Sequence, residues 1–277
     1  TSSGQNCGNW LSLPSQQSYV QVGDVDVTGN QLTIEATFER SSAFDPTFNF
    51  GKLVSKHTDA TNANYALMPI TCEITTTRGY VSTPLACKPQ LDKTYHVAMV
   101  YDGSTLKFYR NGILLSSVAC SGNLINNDLL TTIGQGPAIT DPTYQHFGYI
   151  NEVRIWNVAR TQAQLQTYMN QSLPSPQTTP GLLAYYTFDD LINKQGNAAW
   201  NGTIGGAATI NQVNPKCDFI ADSCGILKVN VTPGFIAPDT VCVNAPVTIT
   251  NTSVGASSYY WNFCVADINS PPNALNM

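Results

Sequence analysis

Glu35 and Glu39 lie four residues apart in the run QLTIEATFER. Successive side chains of an extended chain point to opposite faces, so these two carboxylates share one face. Paired carboxylates are what glycoside hydrolysis uses, one to protonate the leaving oxygen and one as nucleophile or base. The neutral Thr37 stands between them on the same face. As the polar side of a half-buried strand, the pair also reads as two solvated acids. His96 lies inside the strand-like run YHVAMVY and reads as a packed or turn-bonded residue rather than a base. No G-x-S-x-G elbow, H-E-x-x-H pair or phosphate loop is present. The expectation is a protein without catalytic machinery.

Sugar recognition asks for different residues, aromatic rings that stack on pyranose faces with amides and carboxylates alongside. Tyr65, Tyr80, Tyr144 and Trp200 fall in or beside expected loops and are the candidates, each with burial in the core as its alternative. The eight cysteines are Cys7, Cys72, Cys87, Cys120, Cys217, Cys224, Cys242 and Cys264. None forms a C-x-x-C pair, and the three histidines, His57, His96 and His146, are far from zinc-ligand spacing. An even count points to disulfides in an oxidising compartment. Many pairings are open; proximity favours Cys72–Cys87, Cys217–Cys224 and Cys242–Cys264, which leaves Cys7 with Cys120.

Composition narrows the function classes. Charged residues make up 11% of the 277 residues, and Asn, Thr, Ser and Gln fill polar positions instead. A net charge of −5 without a Lys/Arg cluster lacks the basic footprint that nucleic acid requires. No window approaches the ~18 apolar residues of a membrane-spanning helix. The chain begins at Thr1 rather than Met, as it would after removal of a leader or if cut from a longer chain.

The elements that must carry these residues are mostly strands. In LTIEATFE, Leu32, Ile34, Ala36 and Phe38 alternate with Thr33, Glu35, Thr37 and Glu39, the pattern of a half-buried strand. Asp102-Gly103 and Asn111-Gly112 punctuate YHVAMVYDGSTLKFYRNGILLSSV as hairpin turns. GLLAYYTFDD is a further strand. Short strands with regular turn signals predict a sandwich or barrel. One helix is expected from Thr161, which forms a capping-box pattern with Gln164. Leu165, Tyr168 and Met169 give it one narrow apolar stripe, and Pro174 stops it.

The runs HVAMVYDGSTLKFYRNGILL, GYINEVRIWNVARTQAQLQ and GLLAYYTFDD resemble the laminin G-like/pentraxin-like branch of the concanavalin A-like superfamily. The resemblance covers about Leu11 to Ile210. It implies an all-β fold, a two-sheet jelly roll on which the helix packs as a structural element. Glucanases of this fold carry Glu-x-Asp-x-Glu on their catalytic strand, and here Thr37 replaces the middle acid. Pentraxin calcium loops correspond to SKHTDATNANY, which offers Asp59, Asn62 and Asn64, and to GQGPAITDPTYQHFGYI, where Asp141 falls on a ligand position. Gly136, Pro137 and Ala138 replace other ligands, so the resemblance implies at most one calcium, held by Asp59, Asn62 and Asp141. Asp24, Asp26, Asp189 and Asp190 form an alternative acidic set for a structural ion.

After Cys224 the texture changes. FIAPDTVCVNAPVTITNTSVGASSYYWNF resembles the first half of a PKD (polycystic kidney disease) domain, an immunoglobulin-like fold. Trp261-Asn262-Phe263 stands where that family has Trp-Asp-Phe, and Cys264 replaces its glycine, which favours a Cys242–Cys264 bridge. About fifty residues remain against ~100 for a complete sandwich, so a longer natural protein is expected. The domains are accordingly 1–225, laminin G-like, and 226–277, the beginning of a PKD-like module. The combination resembles large secreted surface proteins of Bacteroidota that use type IX secretion and gliding-associated signals. The implied role is adhesion or carbohydrate binding at the cell surface, with an extracellular glycan or surface protein as partner. The alternative is a self-assembling structural subunit of an extracellular filament or surface layer.

Overall fold

The computed structural model describes residues 8–44, 51–57, 63–136, 144–211, 235–236 and 250–252. The chain divides into two units, Thr1–Gly225 and Ile226–Met277. Among the described residues the first unit opens with β1 (Trp10–Leu13), β2 (Tyr19–Val22), β3 (Leu32–Arg40), β4 (Val54–His57), β5 (Ala63–Leu67), β6 (Cys72–Thr76) and β7 (Gly79–Ser82). It continues with β8 (Thr94–Tyr101), β9 (Thr105–Arg110), β10 (Ile113–Ala119), β11 (Thr131–Ile133) and β12 (Gly148–Trp156). The helix α1 (Gln162–Tyr168) follows, then β13 (Leu182–Tyr186), β14 (Gly202–Gly205) and β15 (Thr209–Asn211). In the second unit β16 (Phe235–Ile236) and β17 (Thr250–Asn251) pair antiparallel. Most of the expected PKD-like segment, with Cys242, Trp261 and Cys264, lies outside the described residues.

The first unit is two antiparallel sheets, as the strand pattern predicts. The eight-stranded sheet runs β10-β9-β8-β3-β12-β1-β15, and β13 also pairs with β12. The seven-stranded sheet runs β14-β2-β11-β4-β5-β6-β7. Leu32, Ile34, Ala36 and Phe38 of β3 meet Val20, Val54, Tyr65, Leu67 and Ile74 of the other sheet in one core. Both expected hairpin turns are present. Asn111 and Gly112 take φ 48° and 72°, the pair of positive angles that a tight two-residue hairpin requires.

The face of β3 expected to meet solvent is buried. All nine of its residues are buried, because the chain after β12 folds back over the outer side of the sheet. Leu165 of α1 packs on Ala98, Val100 and Tyr109. Leu173 joins Trp156, Leu182 and Tyr185 in a second cluster. The capping box forms as expected, Thr161 Oγ1 accepting from Gln164 N and Gln164 Oε1 from Thr161 N. Gln162 and Gln166 each donate to Gly112 O, which anchors the helix on the β9–β10 turn. At its other end Arg154 donates to Tyr168 O at 2.9 Å and to Gln171 O at 2.8 Å, so a cation satisfies the last helical carbonyl and one just beyond the helix. The helix is therefore a cover for polar groups on the sheet below it.

Candidate functional site

The paired glutamates are not an accessible acid and base. Glu35, 1% exposed, accepts from Trp156 Nε1 at 2.8 Å and lies 3.2 Å from His96 Nε2. Arg154 approaches it to 3.7 Å and Arg160 to 3.9 Å. Burial acts to raise its pKa, but the His96 hydrogen bond and the charges of Arg154, His96 and Arg160 together hold it below the usual range. Glu39 sits at the far end of the strand, and burial followed by the nearby Asp92 raises its pKa. Substrate cannot reach Glu35, so this strand is an ion-pair hub under α1 rather than a hydrolytic centre.

The aromatic candidates separate sharply. Tyr65 is a core residue, 0% exposed, with its hydroxyl 2.8 Å from both Val25 O and Thr131 Oγ1. Its place on the inner face of β5 removes it from ligand binding. Trp200 is half-buried at the β14 side of its sheet; it packs against the core, and its carbonyl accepts from Tyr186 at 2.6 Å. A Cβ on Gly23 would lie 2.7 Å from its ring, so Trp200 is a packing residue. Tyr80 and Tyr144 remain, and the fold places both beside one polar cluster.

That cluster stands on the outer face of the seven-stranded sheet. Strand register aligns Thr203, Gln21, Thr132, Ser55, Ala66, Glu73 and Ser82 in a row across it. Period 2 then explains the segregation. Cys72 and Ile74 of β6 enter the core, while Glu73 and Thr75 face outward. Lys52, just before β4, reaches Glu73 Oε2 at 3.3 Å and His57 Nδ1 at 2.8 Å. An ammonium only donates, so His57 Nδ1 accepts and its protonated Nε2 faces Glu73 Oε2, 3.5 Å away.

Two rings bracket this trio. Lys52 Nζ lies 5.0 Å from the centroid of Tyr144. Tyr80, 39% exposed, has its ring 6.4 Å from that of His57. Burial and then the Glu73 carboxylate push the Tyr80 phenol upward. Burial lowers the Lys52 pKa against the opposing pull of Glu73. On the same face Ser55 Oγ and Thr75 Oγ1 are buried without hydrogen-bond partners among the described residues. Lys52 and His57 are 2% and 6% exposed, so the groups that reach the surface are the Glu73 carboxylate they hold and the rings of Tyr80 and Tyr144, a set that suits a hydroxyl-rich ring. Sequence reasoning did not single out Lys52, His57 or Glu73. The signal for Glu73 was present in the alternation of CEITT, but its meeting with Lys52 depends on β4, β5 and β6 being neighbours.

The calcium residues Asp59, Asn62 and Asp141 lie outside the described residues. Asn64 is spent on structure, its amide bonding Ile125 O at 2.9 Å and its carbonyl accepting from Val27 N. The alternative acidic set does not assemble. Lys56 Nζ lies 2.8 Å from Asp24 and 2.7 Å from Asp26 and so supplies the cation there itself. Asp190 pairs with Lys194 instead, and Asp189 accepts from Thr187. Among the described residues no three His, Cys, Asp or Glu side chains form a group able to hold a metal.

The proximity rule for disulfides also fails among the described residues. Cys72 and Cys120 are buried free thiols, so neither the Cys72–Cys87 nor the Cys7–Cys120 bridge exists. Cys87 is disulfide-bonded, and Arg110 donates to its carbonyl at 2.8 Å. The reason is facial, since Cys72 points into the core and packs 3.8 Å from Thr83 Oγ1. Cys7, Cys217 and Cys224, like Cys242 and Cys264, lie outside the described residues. Burial raises the pKa of both free thiols, which removes the reactive thiolate. Iodoacetamide is therefore expected to leave Cys72 and Cys120 unmodified in the native protein and to label both in denaturant. Rapid labelling of either under native conditions would contradict these placements.

A family profile described as the concanavalin A-like lectin/glucanases superfamily (Laminin G 3) matches residues 14–166, more than half of the chain. A candidate carbohydrate binding protein from Bacteroides ovatus has a similar fold, with TM-score 0.57 and 19% identity over 76% of this chain. The match spans 61% of that protein's own length. A heptameric SAP-like pentraxin from Limulus polyphemus is similar over 76% of this chain and 98% of its own, with TM-score 0.52 and 14% identity. No curated protein matches in sequence.

Proposed function

The chain belongs to the concanavalin A-like lectin/glucanases superfamily, and from that premise we propose that it is a non-catalytic glycan-binding module. The observation that carries this reading is Glu73, held by the buried Lys52 and His57 and set between Tyr80 and Tyr144 on the outer side of the seven-stranded sheet. In this reading the rings stack on the sugar and Glu73, fixed by Lys52 and His57, orients its hydroxyls. The module acts outside the cell, as part of a longer adhesive surface protein. A charge-poor polar surface and the disulfide at Cys87 support that setting. Calcium held by Asp59, Asn62 and Asp141 is part of the proposal, since those residues lie on the segments that follow β4 and β11 in the chain.

A glycan array probed with the full chain, in calcium and in EDTA, tests the reading. Saturable binding to a glycan is expected, and Tyr80→Ala and Tyr144→Ala should each weaken it by roughly fivefold, about 1 kcal/mol of lost stacking. Loss in EDTA would add calcium to the mechanism, and survival in EDTA would remove it. Absence of binding to any glycan would overturn the lectin reading in favour of a structural subunit. Binding indifferent to both tyrosines would move the site elsewhere.

A further inference from the structure

A cleft of ≈ 470 Å³ opens on the other sheet, beside α1. That volume is within the ~300–1,000 Å³ usual for small-molecule sites. Arg160 forms its inner wall, with its guanidinium 4.1 Å from the centroid of the Trp156 ring. The Arg160 side chain is only 9% exposed, yet among the described residues its Nε finds no hydrogen-bond partner. That nitrogen is fully buried, and the nearest carboxylate oxygen, Glu35 Oε1, is 3.9 Å away, beyond hydrogen-bond reach. Glu35 meanwhile takes its bonds from Trp156 and His96, and Arg154 takes Glu152 at 2.5 Å. His96 Nδ1 and Arg154 Nε of the same network are also buried without a partner among the described residues, but of the three residues only Arg160 lines the cleft, and a buried group left unsatisfied calls for a partner.

The rest of the wall is suited to a hydroxylated ligand. Tyr168 turns its ring to the cleft, and the Gln164 amide nitrogen is not used by the capping box. Thr167 and Thr179 donate their hydroxyl protons to Ala163 O and Ser175 O and so present acceptor lone pairs, and Pro174 adds an apolar surface. A guanidinium already stacked on an indole is planar, held in place and weakly hydrated, the form in which arginine grips a carboxylate through two parallel bonds. We propose that this cleft is a second binding site, for a carboxylate-bearing sugar such as a hexuronate, with Arg160 holding the acid and Gln164 and Tyr168 the ring hydroxyls. The site stands on the opposite sheet from Tyr80 and does not rest on the glycan reading of that face.

Calorimetric titration of the full chain with glucuronate, glucose and N-acetylglycine tests it. Glucuronate is expected to saturate in the millimolar range with glucose at least about tenfold weaker, as loss of a charge-assisted pair implies. R160Q should weaken glucuronate about tenfold or more. R160Q also disturbs the Glu35 network, so T167W, which fills the cleft from an exposed helical position outside that network, is the second variant and should abolish binding with an unchanged melting temperature. Glucuronate that fails to saturate, or that binds both variants as it binds the parent, would overturn the site. N-acetylglycine binding as well as or better than glucuronate would overturn the sugar and assign the cleft to a peptide carboxylate. Neither variant should alter binding at the Tyr80–Tyr144 face, which separates failure of this site from failure of the other.

Discussion

Glu35→Ala is expected to destabilise the protein by about 3–5 kcal/mol, a large fraction of the stability of an ordinary domain. The side chain is 1% exposed and serves Trp156, His96, Arg154 and Arg160 together. Its removal leaves an indole N–H without an acceptor and two arginines facing each other without their shared anion. Glu35→Gln keeps the volume and one acceptor, so its cost comes mainly from the lost charge. The sign of the pH dependence follows from the depressed pKa. A carboxylate with a folded value below its unfolded value near 4.5 contributes fully above that pH and loses the contribution as pH falls below it. Urea unfolding of the wild type and Glu35→Gln should therefore show a stability gap at pH 7 that narrows below pH 4.5. A cost under about 1 kcal/mol for Glu35→Ala would mean that the hub does not hold the helix to the sheet.

Acid sensitivity centred on His146 is the second large expected effect. Its ring is fully buried, edge-on to Phe38 at 5.7 Å, and 3.2 Å from Glu39 O. A carbonyl accepts, so Nε2 carries the proton of a neutral imidazole. Burial, reinforced by the Arg40 charge, pushes its pKa down to about 3 from 6.5, against hydrogen bonds to the Glu39 and Tyr149 backbones. Below pH 6.5 the unfolded chain takes a proton that the folded chain refuses until about pH 3. Stability from this residue is therefore complete above pH 6.5 and falls by up to ~1.4 kcal/mol per pH unit below it. His146→Gln keeps a donor for Glu39 O and cannot titrate. Its stability should fall less steeply than that of the wild type between pH 6.5 and 4.5, before Glu35 begins to contribute. Parallel curves over that interval would exclude His146 as the acid-labile group.

Much of the architecture is written locally in the chain. Alternation in LTIEATFE and YHVAMVY reports strands because one face must be apolar wherever a sheet covers a core. Asn111-Gly112 reports its turn because few other pairs accept two positive φ angles. Thr161 and Gln164 report the helix start because their side chains satisfy backbone donors three residues apart. Each of these signals is complete within a few residues.

The face proposed to bind glycan was half legible. Tyr80 and Tyr144 could be picked out as rings near loops, but the same reasoning selected Tyr65 and Trp200, which pack inward. Nothing within the run ANYAL says which side of β5 meets the other sheet. Glu73 became a candidate only when β4, β5 and β6 aligned it with Ser55 and brought Lys52 to 3.3 Å. Cysteine proximity failed for the same reason, because Cys72 lies close to Cys87 in the chain yet faces the core.

By itself, then, the sequence determined the all-β class, the hairpins, the position of the one capped helix and the family. Tertiary structure alone decided that the polar side of β3 is an interior, that Glu35 is a structural hub and that Arg160 Nε, beside a cleft, is left without a hydrogen-bond partner among the described residues. Periodicity records only that one face of a strand is apolar. Whether the other face meets water is set by a segment more than a hundred residues away in the chain, and no local pattern encodes that distance.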